Sequence, residues 1–205
     1  RKQVYTEKGE VVDYDRLILA TGSKPFIPPI AGADLEGVIS FRDIYDINTM
    51  LDYCKTKKNA VVIGGGLLGL EAAYGLKQRG MNVTVLHLMD RIMERQLDSK
   101  ASQMLRHSIE QKGISIITEA NTEALVGVDG HVTQIRLKDG TVLAADLVVF
   151  AVGIRPNMAL AQSAGLRCNR GVLVNDTMQT FDPSIYAVGE CIEHRSQTFG
   201  LVEPL

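Results

Sequence analysis

The pattern of apolar and polar positions changes period several times along the chain, and each change marks an element. Residues 60–63 (Ala-Val-Val-Ile) are an unbroken apolar run, the pattern of a strand buried on both faces. Gly64-Gly65-Gly66 follows at once. Helix formers then predict a helix from Leu67 to about Arg79, with Gly80 as the residue that ends it. Asn82–His87 predicts a second strand. Leu97–Lys112 predicts a helix capped by Asp98 or Ser99, with Met104, Leu105, His107, Ser108 and Ile109 along its buried edge, and Ile114–Thr118 predicts a third strand. Upstream, Ile44, Ile47, Met50 and Leu51 fall near one face of a helix over 41–55. The stretch Leu88–Gln96 has mixed polarity and no clear period.

Beyond residue 120 the period drops to two. Glu123–Val128, His131–Leu137 and Thr141–Leu143 alternate, and Asp129-Gly130 and Asp139-Gly140 are two-residue hairpin signals, so this region reads as an antiparallel meander. Asp146–Val152 returns to a continuous apolar strand that stops at Gly153. The order strand, helix, strand, helix, strand, meander, strand predicts an α/β, Rossmann-like doubly wound domain with a meander over residues 41–155. Before it, Gln3-Val4-Tyr5 and Glu10-Val11-Val12 flank a Lys8-Gly9 turn, and the strand Leu17–Ala20 ends at Thr21-Gly22. Pro25, Pro28 and Pro29 then impose an extended connection. After it, 156–170 reads as a polar connection, 171–174 as a strand, and Ile185–Val188 as a strand stopping at Gly189-Glu190. Residues 1–40 and 156–205 are thus expected to be two pieces of one partial second domain.

Composition narrows the class. The 205 residues are 45% hydrophobic and 22% charged, with a net charge of −2, as in ordinary globular proteins and without the basic surplus that nucleic acid or an anionic membrane would call for. The apolar run 147–152 is too short to span a bilayer. Cys54, Cys168 and Cys191 are odd in number and scattered, which suits a reducing cytoplasm and argues against a disulfide framework; no cysteine or histidine spacing matches a metal site. The chain starts at Arg1 without a Met and stops at Leu205 without a helix-ending signal, so it is expected to be a piece of a longer protein.

The chemistry centres on the glycine turn. Gly64, Gly66 and Gly69 have the G-x-G-x-x-G spacing between a strand and a helix, with a second strand following. Gly64 permits the tight exit from the strand, Gly66 lets a pyrophosphate approach the backbone, and Gly69 lets the helix pack close to the sheet. The backbone of Gly65, Leu67 and Leu68 and the helix dipole would face that pyrophosphate, which makes a dinucleotide the expected ligand.

Four segments in order, Leu17–Gly22, the glycine fingerprint, Val152–Asn157 and Ile185–Cys191, resemble the two-dinucleotide-binding flavoprotein reductases, a group similar to the pyridine nucleotide-disulfide oxidoreductases. These insert an NAD(P)H domain into an FAD domain. Gly64–Ala73, Arg91–Asp98 and Phe199–Val202 look most like the large subunits of NAD(P)H-dependent nitrite reductases. The resemblance implies that Thr21 and Gly22 lie against FAD, that Gly189 and Glu190 approach its ribityl or pyrophosphate part, that Gly153 lets the nucleotide pass, and that Glu71 lies near the nicotinamide. Most relatives carry Asp where this chain has Glu190.

Three features depart from the wider pattern. The amino-terminal flavin fingerprint is absent from these residues, so FAD is expected only in the full-length protein. His87 stands where a carboxylate usually receives the adenosine ribose, with Arg91, four residues on, as the nearest cation; NADH is the expected donor. No redox-active cysteine pair is present. The implied activity is hydride transfer from NAD(P)H to FAD for reduction of nitrite to ammonia. Sirohaem and an iron-sulfur cluster would lie outside this segment, and the partners would be the rest of the chain and a small nitrite reductase subunit. A rubredoxin or ferredoxin reductase, an NADH oxidase, or a non-catalytic nucleotide-binding module are the alternatives.

Overall fold

The computed structural model describes residues 2–198. The subgroup likeness seen in Phe199–Val202 lies outside the described residues. The chain forms two compact units: one takes the residues up to Lys24 and those from Ile154 onward, the other is Pro25–Gly153.

The first unit begins with the strands Gln3–Tyr5 (β1) and Val11–Asp13 (β2), an antiparallel hairpin, followed by Leu17–Leu19 (β3) and Ser23–Pro25 (β4). The second unit then runs Val38–Ser40 (β5), Ile44–Thr56 (α1), Asn59–Ile63 (β6), Leu67–Gln78 (α2), Asn82–Leu86 (β7), Ser99–Gln111 (α3), Ile114–Ile117 (β8), Thr122–Val128 (β9), His131–Leu137 (β10), Val142–Ala144 (β11) and Leu147–Phe150 (β12). The chain returns to the first unit with Ile154–Pro156 (β13), Ala159–Ser163 (α4), Val172–Val174 (β14), Ile185–Ala187 (β15), Ile192–His194 (β16) and Gln197–Thr198 (β17).

The second unit is built on a parallel sheet ordered β5-β12-β6-β7-β8. Its strands are apolar on both faces, and neighbours in sequence point to opposite sides. Ala60, Val62, Val83, Val85, Leu147 and Val149 pack with Met50, Ala72, Leu76, Leu105 and Ile109 of the three helices. Val61, Ile63, Leu86, Val148 and Phe150 pack with Leu125, Val132, Ile135 and Leu137 of the meander β11-β10-β9. The meander therefore covers the face opposite the helices.

Local chemistry sets the helix starts. Asp43 caps α1: its Oδ1 accepts from the N–H groups of Tyr45 (2.8 Å) and Asp46 (3.1 Å), and Asp46 Oδ2 accepts from the Asp43 N–H (3.3 Å). Asp98 caps α3 through the Ala101 N–H at 2.8 Å. The buried edge of α3 differs from the expected one. Met104 is 67% exposed, while Ser102 is buried and donates its hydroxyl to Ile92 O at 2.7 Å. A serine inside its own hydrogen bond carries no hydrophobic signal.

The unit boundary also differs from 40/41 and 155/156. Residues 25–40 belong to the second unit, because the Leu125 N–H donates to Ala31 O (2.8 Å), the Val132 N–H donates to Glu36 O (2.9 Å), and Ile30, Ala33 and Leu35 cover the meander core. The connection 156–170 contains α4, whose Ala161 is buried in the core of the first unit with Leu19, Val172, Ile185, Ala187, Cys191 and Ile192. Five helical residues are too few to display a period. In that unit β3 pairs in parallel with β15, and β14 with β16.

Candidate functional site

The three fingerprint glycines serve different needs. At Gly64, φ is +125° and an added Cβ would run into the carbonyl of Ala151; at Gly69 it would run into the carbonyl of Gly64. Gly64 is therefore required by the backbone that leaves β12 beside it, and Gly69 by the packing of α2 onto the end of β6. Gly66 is not: its φ is −86°, and nothing lies within 4 Å of where its Cβ would stand. The fold tolerates a side chain there, and the open space fits a group such as a pyrophosphate lying against the backbone. Gly66 is also the N-cap of α2 and makes no side-chain cap bond. The first bond of the helix is Leu70 N–H to Gly66 O (3.0 Å), so the N–H groups of Leu67, Leu68 and Gly69 precede it at the positive end of the helix.

Gly65 is turned inward. Its N–H donates to Nδ1 of His87 (3.0 Å), its carbonyl accepts from the Met93 N–H (3.0 Å), and a Cβ there would stand 2.9 Å from both His87 Cγ and Ile92 Cγ2. His87 is only 8% exposed, and its Nε2 lies 3.1 Å from Glu94 Oε2. Both ring nitrogens are thus used inside the protein. The imidazole that stands where relatives usually carry a carboxylate is bonded to the turn on one side and to the following loop on the other. Arg91, the expected cation, directs NH1 to Asp90 Oδ1 at 3.3 Å and lines an open cavity against α3 with Arg106 and His107. Met93 is held in the left-handed region at φ +53°.

Glu71 sits on the exposed face of α2, one turn beyond Leu67, which is itself 40% exposed. Gly153 leaves the sheet at φ +107°, with nothing within 4 Å of its Cβ position.

The residues expected on the flavin side assemble within the first unit. Thr21 Oγ1 donates to Asn157 O (2.7 Å), Asn157 Nδ2 donates to Thr21 O (3.3 Å), and the Asn157 N–H donates to Gly22 O (2.9 Å). Ser23 Oγ donates to Glu190 Oε2 at 2.9 Å. Gly22 (φ +63°) and Gly189 (φ +80°) both face open space at the Cβ position, as a bound group passing close to the backbone requires. Three segments far apart in the chain therefore meet here. Sequence reasoning gave no roles to Asn157, Ser23, Met93 or Glu94; only their place within or beside family-like stretches pointed to them. Among the described residues no cluster of three or more His, Cys, Asp or Glu could hold a metal ion, and no helix is long and apolar enough to cross a membrane.

Comparison with known proteins points to one family. The family of pyridine nucleotide-disulphide oxidoreductases matches residues 1–202. A nitrite reductase [NAD(P)H] of Bacillus subtilis (strain 168) is 56% identical over 204 residues, covering 100% of this chain and 25% of that protein. The assimilatory nitrate reductase electron transfer subunit of the same organism is 48% identical, covering 100% of this chain and 26% of that protein. The chain thus spans about a quarter of the length of these curated relatives. A crystal structure of a ferredoxin reductase from Rhodopseudomonas palustris superposes with a TM-score of 0.91 at 29% identity, covering 98% of this chain and 50% of that one. With its model matched over residues 1–202, the chain belongs to the pyridine nucleotide-disulphide oxidoreductase family.

Proposed function

We propose that this chain is the electron-input segment of a nitrite reductase large subunit, in which hydride passes from NADH to FAD and the electrons go on to reduce nitrite to ammonia. The observation that carries the nucleotide part is the open Cβ position of Gly66 at the N-terminus of α2. The finer assignment is supported by the 56% identity to the Bacillus nitrite reductase. When bound, the nicotinamide supplies the hydride and the flavin converts it to single electrons. The chain's own residues bind and orient: the first N–H groups of α2 receive the pyrophosphate, Glu71 stands toward the nicotinamide end, and Thr21, Gly22, Gly189 and Glu190 line the flavin side. Orientation and exclusion of water are what the protein adds to such a transfer.

Sirohaem and an iron-sulfur cluster would be held by residues beyond this chain, with a small subunit as partner and the cytoplasm as location. The test is oxidation of NADH by the full-length protein with nitrite as acceptor, following ammonium. Ammonium formed in proportion to NADH supports the reading; flavin reduction without nitrite turnover removes it. In that outcome the second reading takes over, an electron transfer subunit or a ferredoxin or rubredoxin reductase, which the 48% identity to the nitrate reductase subunit favours.

A further inference from the structure

We propose that Glu94 is the carboxylate that selects the nucleotide donor at the glycine turn, and that His87 is the residue positioning it. This rests on the dinucleotide reading of that turn. A carboxylate at the end of the second strand accepts hydrogen bonds from the ribose hydroxyls and repels a 2′-phosphate. His87, just past β7, does neither, because both of its nitrogens are engaged.

The ring instead bridges the turn to a carboxylate. The Gly65 N–H can only donate, so Nδ1 accepts, and the neutral ring carries its proton on Nε2. Nε2 then donates to Glu94 Oε2 at 3.1 Å, a bond to an ionised acceptor. The loop around Glu94 is tied down on the same side. The Met93 N–H donates to Gly65 O (3.0 Å), Met93 is 9% exposed, and the Ile92 carbonyl accepts from Ser102 Oγ (2.7 Å). Glu94 is therefore fixed in register with the turn, and its side chain keeps 24% exposure toward solvent.

The neighbouring charges favour the carboxylate. Arg95 Nε is 4.0 Å from Glu94 Oε1, but the Arg95 side chain is 87% exposed, so its charge is largely screened. Arg91 is directed at Asp90. The charge in direct contact with His87 is the carboxylate of Glu94, and a 2′-phosphate brought there meets it.

Isothermal titration of the protein with NAD+ and with NADP+ tests this. Wild type is expected to prefer NAD+. Glu94→Gln keeps the side-chain shape and removes the charge, and should narrow the preference by about tenfold, chiefly by tighter NADP+ binding. Glu94→Lys should reverse it. His87→Asn should also narrow the ratio, whereas a merely structural His87 would weaken both ligands equally and leave the ratio unchanged. Gly66→Val in the same series separates the two levels of the argument. If it abolishes binding of both nucleotides while Glu94→Gln and Glu94→Lys leave the ratio within twofold of wild type, the dinucleotide site stands and the role of Glu94 is overturned. If Gly66→Val binds both as wild type does, the dinucleotide reading falls and this proposal with it. A wild type that prefers NADP+ overturns the proposal directly.

Discussion

Gly65 donates its N–H to Nδ1 of His87 at 3.0 Å, across 22 residues of chain, and the same imidazole stands 2.9 Å from where a Gly65 Cβ would be. The middle glycine of the turn is thus fixed by what lies beneath it. Gly65→Ala would press a methyl group against His87 and against Ile92, which is 1% exposed, and neither can withdraw into space. Overpacking of this kind costs about 1–3 kcal/mol. Urea unfolding should show a midpoint shifted down with the slope unchanged. A midpoint equal to wild type would mean that the loop from 88 to 98 yields freely.

Gly66 and Gly69 should respond in opposite ways. Gly66→Val meets open space at its Cβ and should fold with stability close to wild type, yet lose nicotinamide-dependent flavin reduction in the full-length protein by orders of magnitude while bound flavin is unaffected. Gly69→Ala drives its methyl into the carbonyl of Gly64, a rigid backbone atom, and should lose soluble expression or unfold at markedly lower temperature. Circular dichroism melting and stopped-flow reduction read the two effects separately. Equal stability losses in both variants would remove the distinction between a glycine kept for packing and one kept for a ligand.

These contrasts show where the sequence was informative. The run at residues 60–63, the glycine turn and the Asp129-Gly130 hairpin were legible because each is a local pattern with a local cause: burial on both faces, a strand exit, a turn whose two residues take φ of +50° and +81°. What was hidden depends on distance along the chain or on polar groups that the interior satisfies. Thr21 and Asn157 bond to each other 136 residues apart. His87 and Glu94 lie in and beside an aperiodic loop, so nothing in the pattern pairs them. Glu193, in β16, is a carboxylate with 3% exposure, which no hydrophobic pattern announces.

Glu193 carries a prediction about pH. Burial alone would push its carboxyl up. Against that, its oxygens accept from Asn169 Nδ2 (3.1 Å), the Arg170 N–H (2.7 Å) and the Gly171 N–H (3.2 Å), with the Arg170 charge nearby, and the net effect holds the group below the ordinary carboxylate range. A depressed folded value means that the stabilisation is fully present above the unfolded value of about 4.3 and is lost as pH falls through the lower folded one. Glu193→Gln leaves at least one of those donors without its acceptor and should cost about 1–3 kcal/mol at neutral pH. Thermal melts of wild type and variant from pH 7 downward should draw together only below the unfolded value of about 4.3, as pH falls through the lower folded one. A gap that stays constant over that range would show that the ionised form of Glu193 contributes nothing.

Glu71 separates orientation from binding. It is exposed on α2, one turn past Leu67, and the proposed reading has it meet the nicotinamide end of a nucleotide whose pyrophosphate lies at the first N–H groups of that helix. Glu71→Gln preserves shape and removes charge on a surface position, where stability changes are within about 0.5 kcal/mol. If the carboxylate orients the nicotinamide, the limiting rate of flavin reduction at saturating NADH should fall, about tenfold or more, while the apparent dissociation constant changes less. That division follows from an interaction made more strongly in the transition state than in the bound ground state. Stopped-flow absorbance of the flavin over a range of NADH concentrations gives both quantities from one series. A limiting rate unchanged from wild type would return Glu71 to the solvated face of the helix, and an equal loss in rate and affinity for NADH would make it a general binding contact.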